Sequence, residues 1–199
     1  MKRTLLLCAA VLMAFFAGCE TPSTPEPNPT EAYVPLAQGN EWDYAWDLPD
    51  DGDPMNWEVL GSEDGAWRVE LNWGDTAEEW LWRHTADGEF QARPADEENW
   101  RTYLKTPIEV GTEWTFTDDD GVLWEGHIRE IDSAFDTPAG YFDECVRVSV
   151  YEYGRTDNYD YNENYWFKEG VGIIRVAIDD DDRDQESNWR WMLNYYTLK

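Results

Sequence analysis

The chain has almost nothing that would hold a fold through covalent or metal cross-links. Of its 199 residues three are cysteine and two are histidine. Cys8 and Cys19 lie in an N-terminal tract considered below. That leaves Cys145 for the folded part, so no intramolecular disulfide can form there. Cys145 sits in Phe142-Asp-Glu-Cys-Val-Arg-Val-Ser-Val150, which alternates like a strand, and is expected to be a buried structural thiol. One thiol with His84 and His127 cannot make a metal cluster unless carboxylates help. Each histidine is expected to be a lone strand residue rather than a general base. Serine is also scarce after residue 31: Ser62, Ser133, Ser149 and Ser187, none in a Gly-x-Ser-x-Gly elbow. Positive charge is short as well. Fifteen basic residues face 43 acidic ones, a net charge of −28. Such a surface repels nucleic acid and anionic lipid headgroups. No apolar run reaches the roughly 20 residues of a membrane span.

The longest apolar run is Leu5 to Phe16, behind Lys2 and Arg3. A positive start, a short apolar stretch and small residues at its end have the shape of a cleavable signal peptide. It closes with Phe16-Ala17-Gly18-Cys19. This tetrapeptide resembles the lipobox of bacterial lipoproteins, with Phe16 where leucine is usual. The resemblance implies cleavage before Cys19, a diacylglyceryl thioether on its sulfur and acylation, palmitate included, of the new amine. More than one acyl chain gives durable anchoring. Glu20, where an aspartate would imply inner-membrane retention, implies the outer membrane; the face is left open.

Residues 20–31 hold Pro22, Pro25, Pro27 and Pro29 and no large aliphatic residue. This composition favours extended polyproline II geometry and cannot bury a core. The expected organisation is a signal peptide over 1–18, a lipidated cysteine and Pro-rich linker over 19–31, and one domain over 32–199.

What the domain does have is aromatic rings: 13 Trp, 11 Tyr and 7 Phe, enough to build a core where Ile, Leu and Val are modest. They recur at every second position. Trp42, Tyr44, Trp46 and Leu48 alternate with Asp43 and Asp47, and Trp67, Val69, Leu71 and Trp73 with Arg68, Glu70 and Asn72. Trp80 and Trp82, Val146 to Val150, and Trp189 to Tyr195 continue the pattern. One apolar and one wet face is the signature of antiparallel sheet. Turns are expected at Asp50–Pro54, Glu63–Gly65, Asp87-Gly88, Asp118–Gly121 and Ala139-Gly140. The predicted fold is all-β, an antiparallel meander of about ten strands forming an open barrel or strongly curved sheet. At most one helical turn is expected, at Ala95 to Trp100.

An internal echo supports two halves of similar build. Pro35-Leu-Ala-Gln-Gly-Asn-Glu-Trp-Asp-Tyr44 recurs as Pro107-Ile-Glu-Val-Gly-Thr-Glu-Trp-Thr-Phe116. The shared glycine permits a positive φ that turns the chain into a strand, whose inward positions are the Trp and the next ring. The echo predicts a strand entry, not an active site.

Both copies begin blocks that look alike in other secreted proteins. Tyr33 to Tyr44, Thr106 to Trp114, Thr137-Pro-Ala-Gly-Tyr-Phe-Asp-Glu-Cys-Val-Arg-Val148 and Tyr165-Trp-Phe-Lys-Glu-Gly-Val-Gly-Ile-Ile-Arg175 are similar, in this order, to the TapB-like group of secreted β-domain lipoproteins. The resemblance implies a curved sheet or open barrel shaped like periplasmic lipoprotein carriers, and no activity. The long acidic insertions depart from its pattern.

Candidate chemistry is thin. Asp180, Asp182 and Asp184 alternate as calcium ligands would, but Gln185 and Trp191 stand where a calcium-binding hand needs Gly and Glu. A solvated loop with weak Ca²⁺ affinity is the expectation, and no cofactor. Carboxylate pairs near Trp are inevitable at this composition, so they do not argue for a glycosidase. A non-enzymatic envelope module, recognising a protein partner, is expected. The alternative is a binder or carrier of a hydrophobic or glycan ligand on inward Trp67, Trp73, Trp80, Trp82, Trp114 and Trp124. It competes with the expectation that these rings, with Trp57, simply fill the interior.

Overall fold

A computed structural model describes residues 28–47, 53–153, 162–180 and 187–199, without the side chains of 179, 180 and 187–189. Cys19, Asp182 and Asp184 lie outside the described residues, as does the side chain of Asp180.

The described chain opens with a helical turn, α1 (Pro29–Tyr33), at the end of the Pro-rich stretch. Proline at the first helical position and Asn28 before it form a start signal. Asn28 Oδ1 accepts from Thr30 N–H at 3.1 Å. Twelve strands follow: β1 (Glu41–Trp46), β2 (Met55–Glu63), β3 (Ala66–Trp73), β4 (Thr76–His84), β5 (Glu89–Pro94), β6 (Arg101–Lys105), β7 (Glu113–Thr117), β8 (Leu123–Thr137), β9 (Gly140–Glu152), β10 (Asn162–Lys168), β11 (Gly172–Asp180) and β12 (Ser187–Thr197). Twelve replaces the expected ten or so; β6, for one, spans five residues of which the middle three are all buried, so it shows no alternation. All pair antiparallel, in the order β6-β5-β4-β3-β2-β1-β12-β11-β10-β9-β8-β7. The first and last strands therefore pair in the middle, and β6 and β7 meet as the two edges of a nearly closed barrel.

The echo occupies equivalent places at the starts of β1 and β7, and its hydrogen bonds repeat. Gly39 N–H donates to Val59 O at 2.8 Å and Gly111 N–H to Ile128 O at 2.9 Å. Val59 and Ile128 return a bond to Asn40 O and Thr112 O. The Asn40 amide and the Thr112 hydroxyl both reach back to the echo proline's carbonyl, at 2.7 and 2.8 Å. Gly39 and Gly111 hold φ of 80° and 93°, as the turn demands.

Alternation sends Trp42 and Tyr44 inward, as predicted. On β12 it breaks. Trp191 and Leu193 are buried, but Tyr195 is exposed and Tyr196 pairs with Trp42. An irregularity in the β1–β12 register between Asp43 and Tyr44 shifts the phase by one residue, which moves every later side chain to the other face. At Ala95–Trp100 a single hydrogen-bonded turn forms, with Glu97 N–H donating to Pro94 O at 3.2 Å, and no helix beyond it. That loop is tied to the Asp118–Gly121 turn, where the Asp119 carboxylate accepts from Glu98 N–H at 2.8 Å and Asn99 N–H at 2.7 Å. These two bonds hold Asp119 below the usual carboxylate range. They also stitch the β6–β7 seam, helped by Trp114 Nε1, which donates to Thr102 O at 2.8 Å. Three register shifts bend the long β8–β9 hairpin, whose tip reaches β12 through Ala139 N–H to Leu193 O. Its Phe135 packs on Trp166, on the outer face of β10.

The α1 end of the barrel is plugged. Thr30 and Val34 are buried, and Gly170 N–H donates to Ala32 O at 2.6 Å. His84 pins the plug: Nε2 lies 2.9 Å from Val34 O and Nδ1 3.0 Å from the Thr30 hydroxyl. Burial lowers its pKa, against the opposing pull of the Val34 carbonyl and Glu31. The unfolded chain therefore takes up a proton near the usual value of 6.5 that the folded chain refuses. The contribution of His84 is complete above that pH and declines as pH falls through it, flattening below the folded pKa. We expect the urea midpoint of the wild type to fall relative to that of His84→Gln between about pH 8 and pH 5. Parallel curves for the two proteins would refute this.

Candidate functional site

The interior is filled at one end and hollow at the other. At the α1 end Trp42, Tyr44, Phe90 and Phe167 are fully buried. Trp42 Nε1 donates to Val171 O at 2.7 Å and the Tyr44 hydroxyl to Ile173 O at 2.8 Å, so both polar tips are satisfied. Towards the other end lies a cavity of about 300 Å³, open on one side and walled mostly by apolar atoms. That is the lower bound for small-molecule sites.

The wall is built by inward rows, each running from a charged residue at the rim to rings inside. On β4 the row is Glu78, Trp80, Trp82; on β6 it is Arg101 and Tyr103; on β10 it is Glu163 and Tyr165. Glu97, from the loop before β6, joins them. Trp57 and Trp73, with Ile173, Val176, Ile178 and Trp191, complete the wall on the strands between β4 and β10. The rings interlock edge to face: Trp57 on Trp82 at 5.2 Å, Trp82 on Phe90 at 5.4 Å and Tyr103 on Tyr165 at 5.1 Å. Such packing fixes the wall without closing it. The indole N–H groups of Trp57 and Trp82 are buried without an acceptor, at a cost of about 1–3 kcal/mol each.

The polar rim is ordered. Arg101 Nη2 lies 2.7 Å from both Glu97 oxygens. Burial works against its charge, but the Glu97 and Glu163 carboxylates favour it, and its pKa is raised. Burial first, then Glu163, raises Tyr103, which stays a neutral phenol. The Tyr165 hydroxyl donates to Glu163 at 2.7 Å, and Trp80 Nε1 to Glu78 at 3.2 Å.

Of the six tryptophans singled out from sequence, Trp73, Trp80 and Trp82 line this cavity. The other three do not. Trp67 faces Trp82 across the β3–β4 pair but is not in the wall. Trp114 is buried at the seam, and Trp124 stacks on Phe116 at 6.3 Å with Nε1 on Asp118. Arg101, Glu97, Glu163, Tyr103 and Tyr165 were missed, although the rows Glu78-x-Trp80 and Glu163-x-Tyr165 show in the alternation.

The second cluster is on the outer face. His127 is not a lone strand histidine. Its Nε2 lies 2.6 Å from both Glu125 Oε1 and the Tyr151 hydroxyl, and its Nδ1 lies 3.2 Å from Glu113. The carboxylate help that a metal site would need is thus present in Glu113 and Glu125. The two carboxylates sit on different ring nitrogens, however, and the short separations are hydrogen-bond lengths. The cluster ties β7 to β9. Cys145 is buried as expected, and burial pushes its thiol up to about 11, where it is inert.

Neither a protein-family model nor a curated protein matches the sequence. Solved structures do match in shape. A protein from Bacteroides fragilis, described by inference as exported and as having a YmcC-like fold, aligns over 83% of this chain and 99% of its own. The identity is 12% and the TM-score 0.54. The fold is YmcC-like. A protein from Parabacteroides distasonis, described by inference as a lipoprotein, aligns over 83% and 98% at 13% identity with a TM-score of 0.46. At this distance the likeness to the Bacteroides protein carries the fold and no activity.

Proposed function

We propose that this chain is a lipid-anchored protein of the cell envelope, of outer-membrane type, whose barrel holds a small and mainly apolar ligand without transforming it. The half-hollow interior carries the reading. A domain that only displays its outer face gains nothing from a cavity, since unfilled apolar space costs packing energy. The cavity therefore favours the ligand binder over the protein-interaction module. Its walls offer ring faces for an apolar body and a charged rim for a polar group, the usual division of labour in binding sites. The anchor rests on the lipobox resemblance at Cys19, and the Pro-rich linker holds the barrel off the membrane. Weak Ca²⁺ affinity near Asp180 to Asp184 would be incidental to this role.

The test uses the full chain expressed in a Gram-negative host. The wild type should fractionate with membranes and Cys19→Ser should not. Native mass spectrometry of the soluble Cys19→Ser chain should show a retained small molecule. Ala92→Phe, which places a ring in the cavity from a buried position on β5, should lose it while keeping the β-sheet circular dichroism. A retained mass that is identical in Ala92→Phe would place the ligand elsewhere and sink the cavity reading.

A further inference from the structure

The charges around the cavity say more than its volume. We propose that the ligand is a cation of the substituted-ammonium class, with its charged head at the rim among Glu78, Glu97 and Glu163 and its apolar groups against Trp73, Trp80 and Trp82. This rests on the cavity being the binding site and narrows what it takes.

Three carboxylates and one guanidinium belong to the wall. Arg101 is held by Glu97 through both carboxylate oxygens, which balances that pair locally. Glu163 also acts on Arg101, and Glu78 brings the rim to three carboxylates. Beyond the wall the whole chain carries −28. A cleft with low-dielectric walls focuses such a field, so a cation is drawn in and an anion is repelled. A fatty acid or an anionic phospholipid would bring a further negative charge among three carboxylates, where the one guanidinium is held by Glu97 and keeps only Nε without a partner. Tryptophan faces attract cations through the ring quadrupole, most strongly when water is excluded. A substituted ammonium suits this site better than a metal ion. It presents an apolar shell to the rings and loses little hydration on entry.

The experiment uses three probes of one shape. Choline carries a trimethylammonium, 3,3-dimethylbutan-1-ol replaces it with a neutral tert-butyl group, and 3,3-dimethylbutanoate puts the same tert-butyl group beside a negative charge. Binding to the intact Cys19→Ser chain is followed by calorimetry and tryptophan fluorescence at fixed ionic strength. Choline should bind about tenfold more tightly than the alcohol, and the carboxylate most weakly. Glu78→Gln and Glu163→Gln preserve volume and should each shrink the choline-to-alcohol ratio towards one. If the alcohol binds as well as choline, the charge inference is overturned and the cavity reading survives. If none of the three binds, the cavity reading itself falls. Ala92→Phe should abolish binding of all three, which ties the signal to the cavity.

Discussion

Trp42→Ala is expected to lower folding stability by about 4 kcal/mol, out of a total of about 5–15 for a domain of ordinary stability. The side chain is 1% exposed and belongs to the plugged end of the barrel. Three losses add. The ring leaves a cavity where the packing is dense, with Trp82 at 6.3 Å losing its neighbour. Val171 O loses the indole N–H that satisfies it. The backbone at Gly172, which approaches so closely that a Cβ there would lie 2.7 Å from Trp42 Nε1, loses the surface it rests on. Trp42→Phe separates the terms. It keeps most of the ring and removes the hydrogen bond, so it should cost about 1–2 kcal/mol. Urea unfolding followed by circular dichroism reads both. A loss below about 1 kcal/mol for Trp42→Ala would mean that the plugged end is not the core of this fold.

Trp42 also marks how much of the molecule could be read from sequence. Period-2 alternation reveals strands, their faces and the inward rings, because burial on one face is a local property of a strand. The echo reveals the two strand entries because each is built from neighbours in sequence, Pro35 to Tyr44 and Pro107 to Phe116. The rest depends on what the chain does at a distance. Nothing local to Tyr195 says that it faces out; a register irregularity against β1 decides that. Asn28, Pro29 and Thr30 look like tether until His84, more than fifty residues on, gives the turn a place to dock. The cavity rim is hidden for another reason. Arg101 and Glu163 stand on inward rows, yet alternation cannot tell a charge that faces a hollow interior from one that faces bulk water. Trp67, Trp114 and Trp124 err the opposite way. They do pack against the hydrophobic core, but outside the cavity wall. Whether an inward tryptophan packs or lines a cavity is set by how far apart opposite walls stand, and that is a property of the closed barrel alone.

Closure itself gives the second large effect, at Gly126. No backbone ladder joins β6 to β7 among the described residues, so two strand edges meet there with side chains as the bond. Exposed edges invite pairing with other chains, and proteins cover them. Here the cover is Trp114. It stands opposite Gly126 on β8, lies over it and reaches Thr102 O on β6. A Cβ at Gly126 would overlap the Trp114 indole, with Cε2 nearest. Gly126→Ala should therefore displace the ring and cost about 2–3 kcal/mol, and it should speed amide exchange in β6 and β7 before the rest of the barrel. Trp114→Ala should cost about 3–5 kcal/mol. The double variant carries the argument. Once the indole is gone, the alanine methyl enters space that the ring has left, so Gly126→Ala should add nothing to Trp114→Ala. A coupling of about 2–3 kcal/mol then measures the contact between the two positions. Simple additivity would mean that Gly126 serves only the bend of β8, and that the seam is held chiefly by the Asp119 clamp on Glu98 and Asn99. Asp119→Asn, which weakens those two bonds, should then open β6 and β7 to exchange more than Gly126→Ala does.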